Sequence, residues 1–410
     1  MYSPDNRFTE GLKSKKHKDQ FNHTTEISNL NMKKLFYFGI FFLALFEIAN
    51  VYFIMPMPGS QKMDSLDAAY FLYSWRWLFR AVFGIMVISG IKQAFSASKW
   101  AALGSILLIS GIVYACNFIM AADSMFKQPD AVIFKNSTDN KVEKNRLILG
   151  ITVNGESKAY PIQFLGYHHQ VRDSIAGKAI MVTYCTVCRT GRVFEPLVDG
   201  KAEEFRLVGM DHFNAMFEDK STGSWWRQVS GKAVAGPLKG KSLPEITSLQ
   251  TTLEKWVELY PNTLIMQGDE KFKSKYEGMS NYESGKSKSK LTLRDPASWK
   301  DKSWVVGLEV GSESKAYDWN QLQKERIIHD ELNGKPIVIV LSEDNNSFIA
   351  LERMNNEQRF QVKNDTLIST KNRYSFLGIS QDSSQSNLNH LNAYQEYWHS
   401  WQIFHPLTKR

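Results

Sequence analysis

Glu156-Ser157-Lys158-Ala159-Tyr160 returns as Glu313-Ser314-Lys315-Ala316-Tyr317, and around this pentapeptide residues 150–183 align without a gap on residues 307–340. Leu165 falls on Leu322, Asp173 on Asp330, and Gly177-Lys178 on Gly334-Lys335. Each stretch reads as a hairpin about a glycine turn (Asn154-Gly155, Gly311-Ser312), then a short helix, then a second hairpin about Ala176-Gly177 or Asn333-Gly334. An apolar β run follows in both, Ala179 to Thr183 and Pro336 to Val340. Two such units, each with one sheet face to bury, are expected to share a core as a pseudo-symmetric pair. Between them Thr251-x-x-Glu254 opens a capped helix that carries Leu253, Trp256, Val257 and Tyr260 and ends at Pro261. Residues 270–300, rich in Lys, Ser, Gly and Asn, read as a long exposed loop.

Toward the N-terminus the composition changes, because long apolar runs crowd residues 33–122. Residues 35–55, 71–91 and 100–120 are each about the 20 residues that cross a hydrocarbon core. A cleaved signal peptide does not fit, since the first run is too long, starts too late and has no small-residue cleavage site. Lys13, Lys15, Lys16, Lys18, Lys33 and Lys34 precede the first run and read as a cytoplasmic flank. Three crossings then place Lys92 and Lys99 inside and the rest of the chain outside. The expected fold is a membrane-anchored α+β protein. It has a basic segment (1–34), a membrane domain (35–121) and a β-rich extracytoplasmic domain (122–410) with related units at 145–270 and 300–365. Within the membrane Glu47 and Arg80 fall at similar depth and are expected to pair, while Arg76 snorkels outward.

The formal charge of the 410 residues is +8, but acids interleave with the basic residues outside the N-terminal flank, so no nucleic-acid footprint is expected. The chain has no Walker loop, no dinucleotide-binding glycine motif, no Gly-x-Ser-x-Gly elbow and no His-Glu-x-x-His helix. Nucleotide-driven transport and the familiar hydrolase classes are therefore not indicated.

Chemistry is sought in what one repeat keeps and the other lacks. Cys185-Thr186-Val187-Cys188 follows the apolar strand of the first copy, where the second has Ser342-Glu343-Asp344-Asn345; His168 and His169 become Glu325 and Arg326. Two thiols at this spacing bind one metal ion or cycle between dithiol and disulfide. The flanks predict strand, turn, strand, with Thr190-Gly191 in the turn, a shape nearer a metal knuckle than a helix-borne redox site. A closed site needs further ligands, and His168 is the first candidate, followed by His169, His212 and Asp211. Cys116 belongs to the third apolar helix and reads as an inert thiol. Arg189 and Arg192 read as a solvated pair beside the thiols. Asp219, Trp225, Trp226 and Arg227 are weaker candidates for a ligand groove, with core and rim as the plainer reading.

His168 through Asp173, Val182 through Cys188, Asp219 with Thr222-Gly223-Ser224-x-Trp226, and Gly231 through Leu243 resemble the bacterial family called domain of unknown function 3179. The likeness covers residues 145–270 and 300–352. It implies a shared fold and a shared Cys-x-x-Cys feature in exported or membrane-attached proteins, and supplies no activity. This chain has Thr186-Val187 where relatives have Pro-Leu, and His169 where they have Glu.

Three functions follow as expectations. The first is a cell-envelope protein of the bacterial cytoplasmic membrane that holds a Cu, Zn or Fe ion through Cys185, Cys188 and His168. The second is a thiol-disulfide oxidoreductase using the same cysteines. The third is a non-enzymatic binding domain with structural cysteines. The expected partners are the lipid bilayer and another membrane protein.

Overall fold

The computed structural model describes the backbone from residue 7 and side chains from residue 28, residue 371 excepted. Most of the expected basic segment 1–34, with Lys13, Lys15, Lys16 and Lys18, lies outside the residues whose side chains are described. The chain divides into a helical unit (residues 1–60 and 64–124) and a second unit formed by residues 125–410 with Gln61–Met63.

In the helical unit α1 (Arg7–Tyr52), α2 (Arg76–Ala97) and α3 (Lys99–Tyr114) are the long elements. Three stretches, Ser28–Tyr52, Arg76–Ala97 and Lys99–Ile119, are long and apolar enough to cross a membrane. The middle one starts later than the apolar run at 71 suggests, because residues up to Ser74 form a separate helix, Leu66–Ser74, that stops at Trp75. Arg80 meets Glu47 with two hydrogen bonds, Nε to Oε1 at 2.6 Å and Nη2 to Oε2 at 2.9 Å. Asn117 closes the group: its amide donates to Glu47 Oε2 at 2.8 Å and its carbonyl accepts from Arg80 Nη2 at 2.7 Å. A π-turn over Ala115–Ile119 carries Asn117. The Asn117 amide also donates to Val113 O at 2.9 Å, and with Glu47 and Arg80 it makes the group a three-helix clasp. Asn117→Leu is expected to lower stability in detergent by about 1–2 kcal/mol, read as thermal unfolding of the full chain. An unchanged melting curve would remove Asn117 from the clasp.

The second unit is built from antiparallel hairpins. Its first half contains β1 (Leu147–Val153), β2 (Glu156–Pro161), α4 (Ile162–His168), β3 (Gln170–Ile175), β4 (Lys178–Cys185) and β5 (Thr190–Phe194). A four-stranded sheet follows, of β6 (Phe205–Asp211), β7 (Asn214–Asp219), β8 (Trp225–Arg227) and β9 (Ala233–Ala235). Next, β10 (Ser248–Thr252) pairs with β1, and the predicted helix α5 (Leu253–Leu259) forms one residue later than the Thr251-x-x-Glu254 pattern suggests, capped by the Thr252 hydroxyl, which accepts from Lys255 N. The second half contains β11 (Trp304–Val310), β12 (Glu313–Asp318), α6 (Trp319–Glu325), β13 (Ile327–Leu332), β14 (Lys335–Leu341) and β15 (Phe348–Glu352). At the end of the chain β16 (Ala393–Tyr397) pairs with β11 and leads into α7 (Trp398–Phe404).

The residues shared by the two aligned stretches make the same bonds in each. Lys158 and Tyr160 meet Asp173 at 2.7 and 2.6 Å; Lys315 and Tyr317 meet Asp330 at 2.7 and 2.8 Å. Both second hairpins turn through two residues of positive φ, Ala176-Gly177 and Asn333-Gly334, the backbone that a two-residue turn between twisted strands requires. Gly150 and Gly307, at equivalent places on β1 and β11, each lie under an indole, Trp256 and Trp401 respectively. The residues from 270 to 300 depart from expectation. Short helices at Lys273–Tyr276 and Met279–Glu283 form there, and Phe272, Tyr282 and Glu283 are buried. The polar composition belongs to their outer faces, while a few aromatic side chains fix the segment to the core.

Candidate functional site

Cys185 ends β4, the turn runs from Thr186 to Arg189, and Thr190 already begins β5. Thr190-Gly191 is therefore strand rather than turn. Gly191 is needed for packing: a Cβ there would meet Leu149 Cδ1 at 2.3 Å. The chain reverses instead through Arg189, whose φ is 60°.

Both thiols are free, fully buried and turned toward one oxygen. Cys185 Sγ and Cys188 Sγ lie 3.4 and 3.3 Å from the carbonyl of Phe213, and Asn214 Nδ2 donates to Cys188 Sγ at 3.5 Å. Phe213 is delivered by a tight hairpin between β6 and β7 in which His212 and Phe213 both take positive φ, 50° and 67°. Such turns favour Asn and Gly; a Phe there costs about 1–2 kcal/mol, strain of the kind that collects at functional sites.

The carbonyls of the cysteine turn are held from outside. Tyr282 Oη donates to Thr186 O at 3.1 Å, Lys302 Nζ to Val187 O at 2.9 Å and the Tyr397 N–H to Cys188 O at 2.9 Å. The turn's N–H groups face inward. Burial pushes the Cys185 thiol up, but hydrogen bonds from the Cys188 thiol and from the N–H groups of Ala215, Cys188 and Val187 outweigh it and hold Cys185 below the ordinary thiol value. Cys188 is driven the other way, first by burial and then by its partner sulfur. The two thiols are thus adjacent, unjoined and unequal.

Residues 127–408 match the family described as protein of unknown function (DUF3179). The chain belongs to that family. No curated protein and no solved structure matches it. The DUF3179 domain thus spans nearly all of the second unit, including β16 and α7, which the sequence likeness did not reach.

Within the DUF3179 domain the remaining candidates sit as follows. His168 is fully buried, with Nδ1 2.5 Å from Lys127 O and Nε2 2.8 Å from Tyr276 Oη. A carbonyl only accepts, so Nδ1 carries the proton and Nε2 takes the tyrosine hydroxyl; burial lowers the pKa and keeps the ring neutral. His169 is left-handed at the end of α4 and gives Nδ1–H to Tyr184 O at 2.9 Å, with its pKa lowered by burial to about 4. His212 pairs with Asp211 at 2.7 Å, and Asp211 also takes Arg227 Nε at 2.6 Å. Among the described residues no group of three or more His, Cys, Asp or Glu is placed to hold a metal ion. The cysteines are brought together; none of these histidines joins them.

Asp219 and Trp226 serve a turn. The Asp219 carboxylate accepts from Thr222 N, Thr222 Oγ1, Ser224 N and Trp226 Nε1 at 2.6 to 3.1 Å. Arg189 and Arg192, expected to be solvated, are each 1 % exposed. Arg189 binds Gln395 Oε1, Tyr282 O and Glu283 O and stacks 3.7 Å from the Trp304 ring. Arg192 pairs with Glu396 at 2.9 Å and lies over the Tyr394 ring. The sequence reading missed Phe213, Asn214, Lys302 and Tyr397. None lies in the two aligned stretches of sequence or in a motif, and the local sign was the Asp211-His212-Phe213-Asn214 turn without glycine.

Proposed function

We propose that the domain is a dithiol-disulfide centre in which Cys185 is the attacking sulfur and Cys188 the resolving one. The observation that carries the reading is the pair itself: two free thiols side by side, both directed at the Phe213 carbonyl, with backbone N–H donors gathered on Cys185. Cys188 has the Asn214 amide at 3.5 Å, but the backbone donors lie on Cys185 and favour its thiolate, the form that attacks a disulfide. The oxidant is a low-molecular-weight disulfide, since sealed sulfurs do not suit a folded partner. The Cys185 thiolate bonds to one of its sulfurs and expels the other as thiolate. Cys188 then loses its proton and attacks Cys185, forming the internal disulfide and releasing the second thiolate. Two electrons pass from the cysteine pair to the small disulfide, which leaves as two thiols.

A second reading has one observation in its favour. Two sulfurs and the Phe213 carbonyl converge, and N–H groups bond to Cys185 sulfur as in metal knuckles, an arrangement that suits a soft thiophilic ion, Cu(I), better than zinc with its four ligands. We further propose that the two halves of the domain are a pseudo-repeat, supported by the matching bonds of Lys158, Tyr160 and Asp173 with Lys315, Tyr317 and Asp330. The three apolar helices support a multi-pass anchor in the bacterial cytoplasmic membrane with the domain on the extracytoplasmic side.

The test is the full chain in detergent, carrying Cys116→Ser to leave two thiols, equilibrated over a series of glutathione redox buffers. A reversible loss of two alkylatable thiols is expected, together with a stable glutathione adduct on Cys185 when Cys188→Ser is added. Thiols that stay reduced across the series, with one copper retained in native mass spectrometry and lost on Cys185→Ser, would replace the redox reading by the metal one.

A further inference from the structure

We infer that the cleft between α1 and α2 at the lysine-bearing end of the apolar helices binds one phosphatidylglycerol molecule, an assignment that rests on the membrane anchor proposed above. Glu47 meets Arg80, Gly39 faces Val87 and Met32 faces Gly90, so the two helices run antiparallel. At Gly90 they touch: a Cβ there would stand 2.1 Å from Met32 O and 2.7 Å from Phe36 N. Beyond Gly90 the pair opens into a cleft of about 560 Å³, whose wall holds Asn29 and Lys33 from α1 and Lys92, Gln93 and Ser96 from α2. A second cleft, of about 550 Å³, shares Leu30 and Lys33 with the first and continues along α1 past Tyr37, Phe38 and Phe41. One cleft is polar and basic, the other apolar, and Lys33 lines both.

Two features of the first cleft define its ligand. Among the described residues no acidic side chain meets Lys33 or Lys92, so the wall carries two uncompensated cations. Gln93 is half-buried, and its Oε1 is sealed without a hydrogen-bond donor. An orphaned acceptor is costly, and the broad terminal torsion of a glutamine lets the amide turn that oxygen toward a donor in the cleft. The lysines call for an anion and Gln93 for a proton donor. A phosphodiester answers the first and has no proton to give, so the ligand carries a hydroxyl beside its phosphate. The glycerol headgroup of phosphatidylglycerol has that pairing. Phosphatidic acid offers no hydroxyl beyond its phosphate, and phosphatidylethanolamine neutralises its phosphate with its own ammonium. Free phosphate would leave the apolar cleft unused. With the phosphate at Lys33, as basic clefts between membrane helices hold anionic headgroups, an acyl chain follows α1 from Leu30 to Phe41, about 16 Å of helix. Phe38 and Phe41 are exposed along that path.

The experiment uses the full chain. Membranes of expressing cells are first washed with alkaline carbonate, and the chain is then purified in detergent. It is titrated with phosphatidylglycerol, phosphatidylethanolamine, phosphatidic acid or inorganic phosphate and read by native mass spectrometry. The chain is expected to stay in the washed membranes and to retain one phosphatidylglycerol in preference to the other three. Lys33→Gln and Lys92→Gln should each lower that retention about fivefold. Gln93→Leu should lower phosphatidylglycerol about fivefold and leave phosphatidic acid unchanged; it removes an orphaned acceptor, so folding is not at risk. A parent chain in the washed membranes that holds phosphatidylethanolamine or inorganic phosphate as well as phosphatidylglycerol overturns the site alone. So does a double lysine variant that matches the parent. A chain released by the carbonate wash overturns the membrane anchor and the lipid site together.

Discussion

Arg192→Met is expected to cost the DUF3179 domain about 3–5 kcal/mol, visible as an earlier unfolding midpoint of the full chain in denaturant. Arg192 and Glu396 are 1 % and 0 % exposed and meet at 2.9 Å. Methionine fills most of the volume but leaves the Glu396 carboxylate sealed, with the Ser400 hydroxyl at 3.0 Å as its remaining donor. An isolated buried charge is the expensive outcome, whereas removing both charges is far milder. The double variant Arg192→Met with Glu396→Leu should therefore recover most of the loss. A single variant within about 1 kcal/mol of the parent would mean that water reaches the pair. Because Arg192 sits on β5, directly after the cysteine turn, the single variant should also loosen the register of Cys185 and Cys188.

Gly307→Val is the second large expected effect, about 3 kcal/mol. A Cβ at Gly307 would stand 2.2 Å from Trp401 ring carbons, and Trp401 is wholly buried against Val305, Ala316, Tyr394 and Trp398. The strand cannot retreat, since Gly307 is paired on both sides, with Ala316 and with Tyr394. The indole must move, and it carries α7 with it. Trp401→Leu in the Gly307→Val background should relieve part of the clash. The matching change Gly150→Val, facing Trp256 at 2.3 Å, should cost a similar amount. A Gly307→Val chain that melts with the parent would show that the sheet yields instead of the ring.

Much of this architecture was legible because it obeys local rules. The apolar runs and the glycine turns of the hairpins each express a short-range preference, and the second aligned stretch doubled the evidence for the hairpins; the helix after them was expected too, but with Thr251 as its cap where Thr252 takes that place. The failures have a common cause in long-range packing. Gly191 looked like a turn residue because glycine usually is one, yet its lack of a side chain answers to Leu149. Arg189 and Arg192 looked solvated because their partners, Gln395 and Glu396, lie in a C-terminal strand with no motif of its own. His168 was singled out correctly as unlike its counterpart Glu325, but its ring serves Tyr276 instead of the thiols. The candidate site was half visible: the cysteines announce themselves, while the Phe213 carbonyl is a backbone atom and carries no side-chain signal at all.

The clamp that β16 places on the cysteine turn also sets an order of events during synthesis. Arg189 and Gln395 are 206 residues apart, and Tyr397, which holds Cys188 O, emerges later still. At about 5–20 residues per second, the cysteines leave the ribosome roughly 10–40 s before the strand that covers them exists. For that interval the pair is open to whatever oxidants and metals surround the nascent chain. The cysteine turn thus passes through an open stage before its clamp exists, and oxidants or metals should reach the two sulfurs faster in the nascent chain than in the folded one.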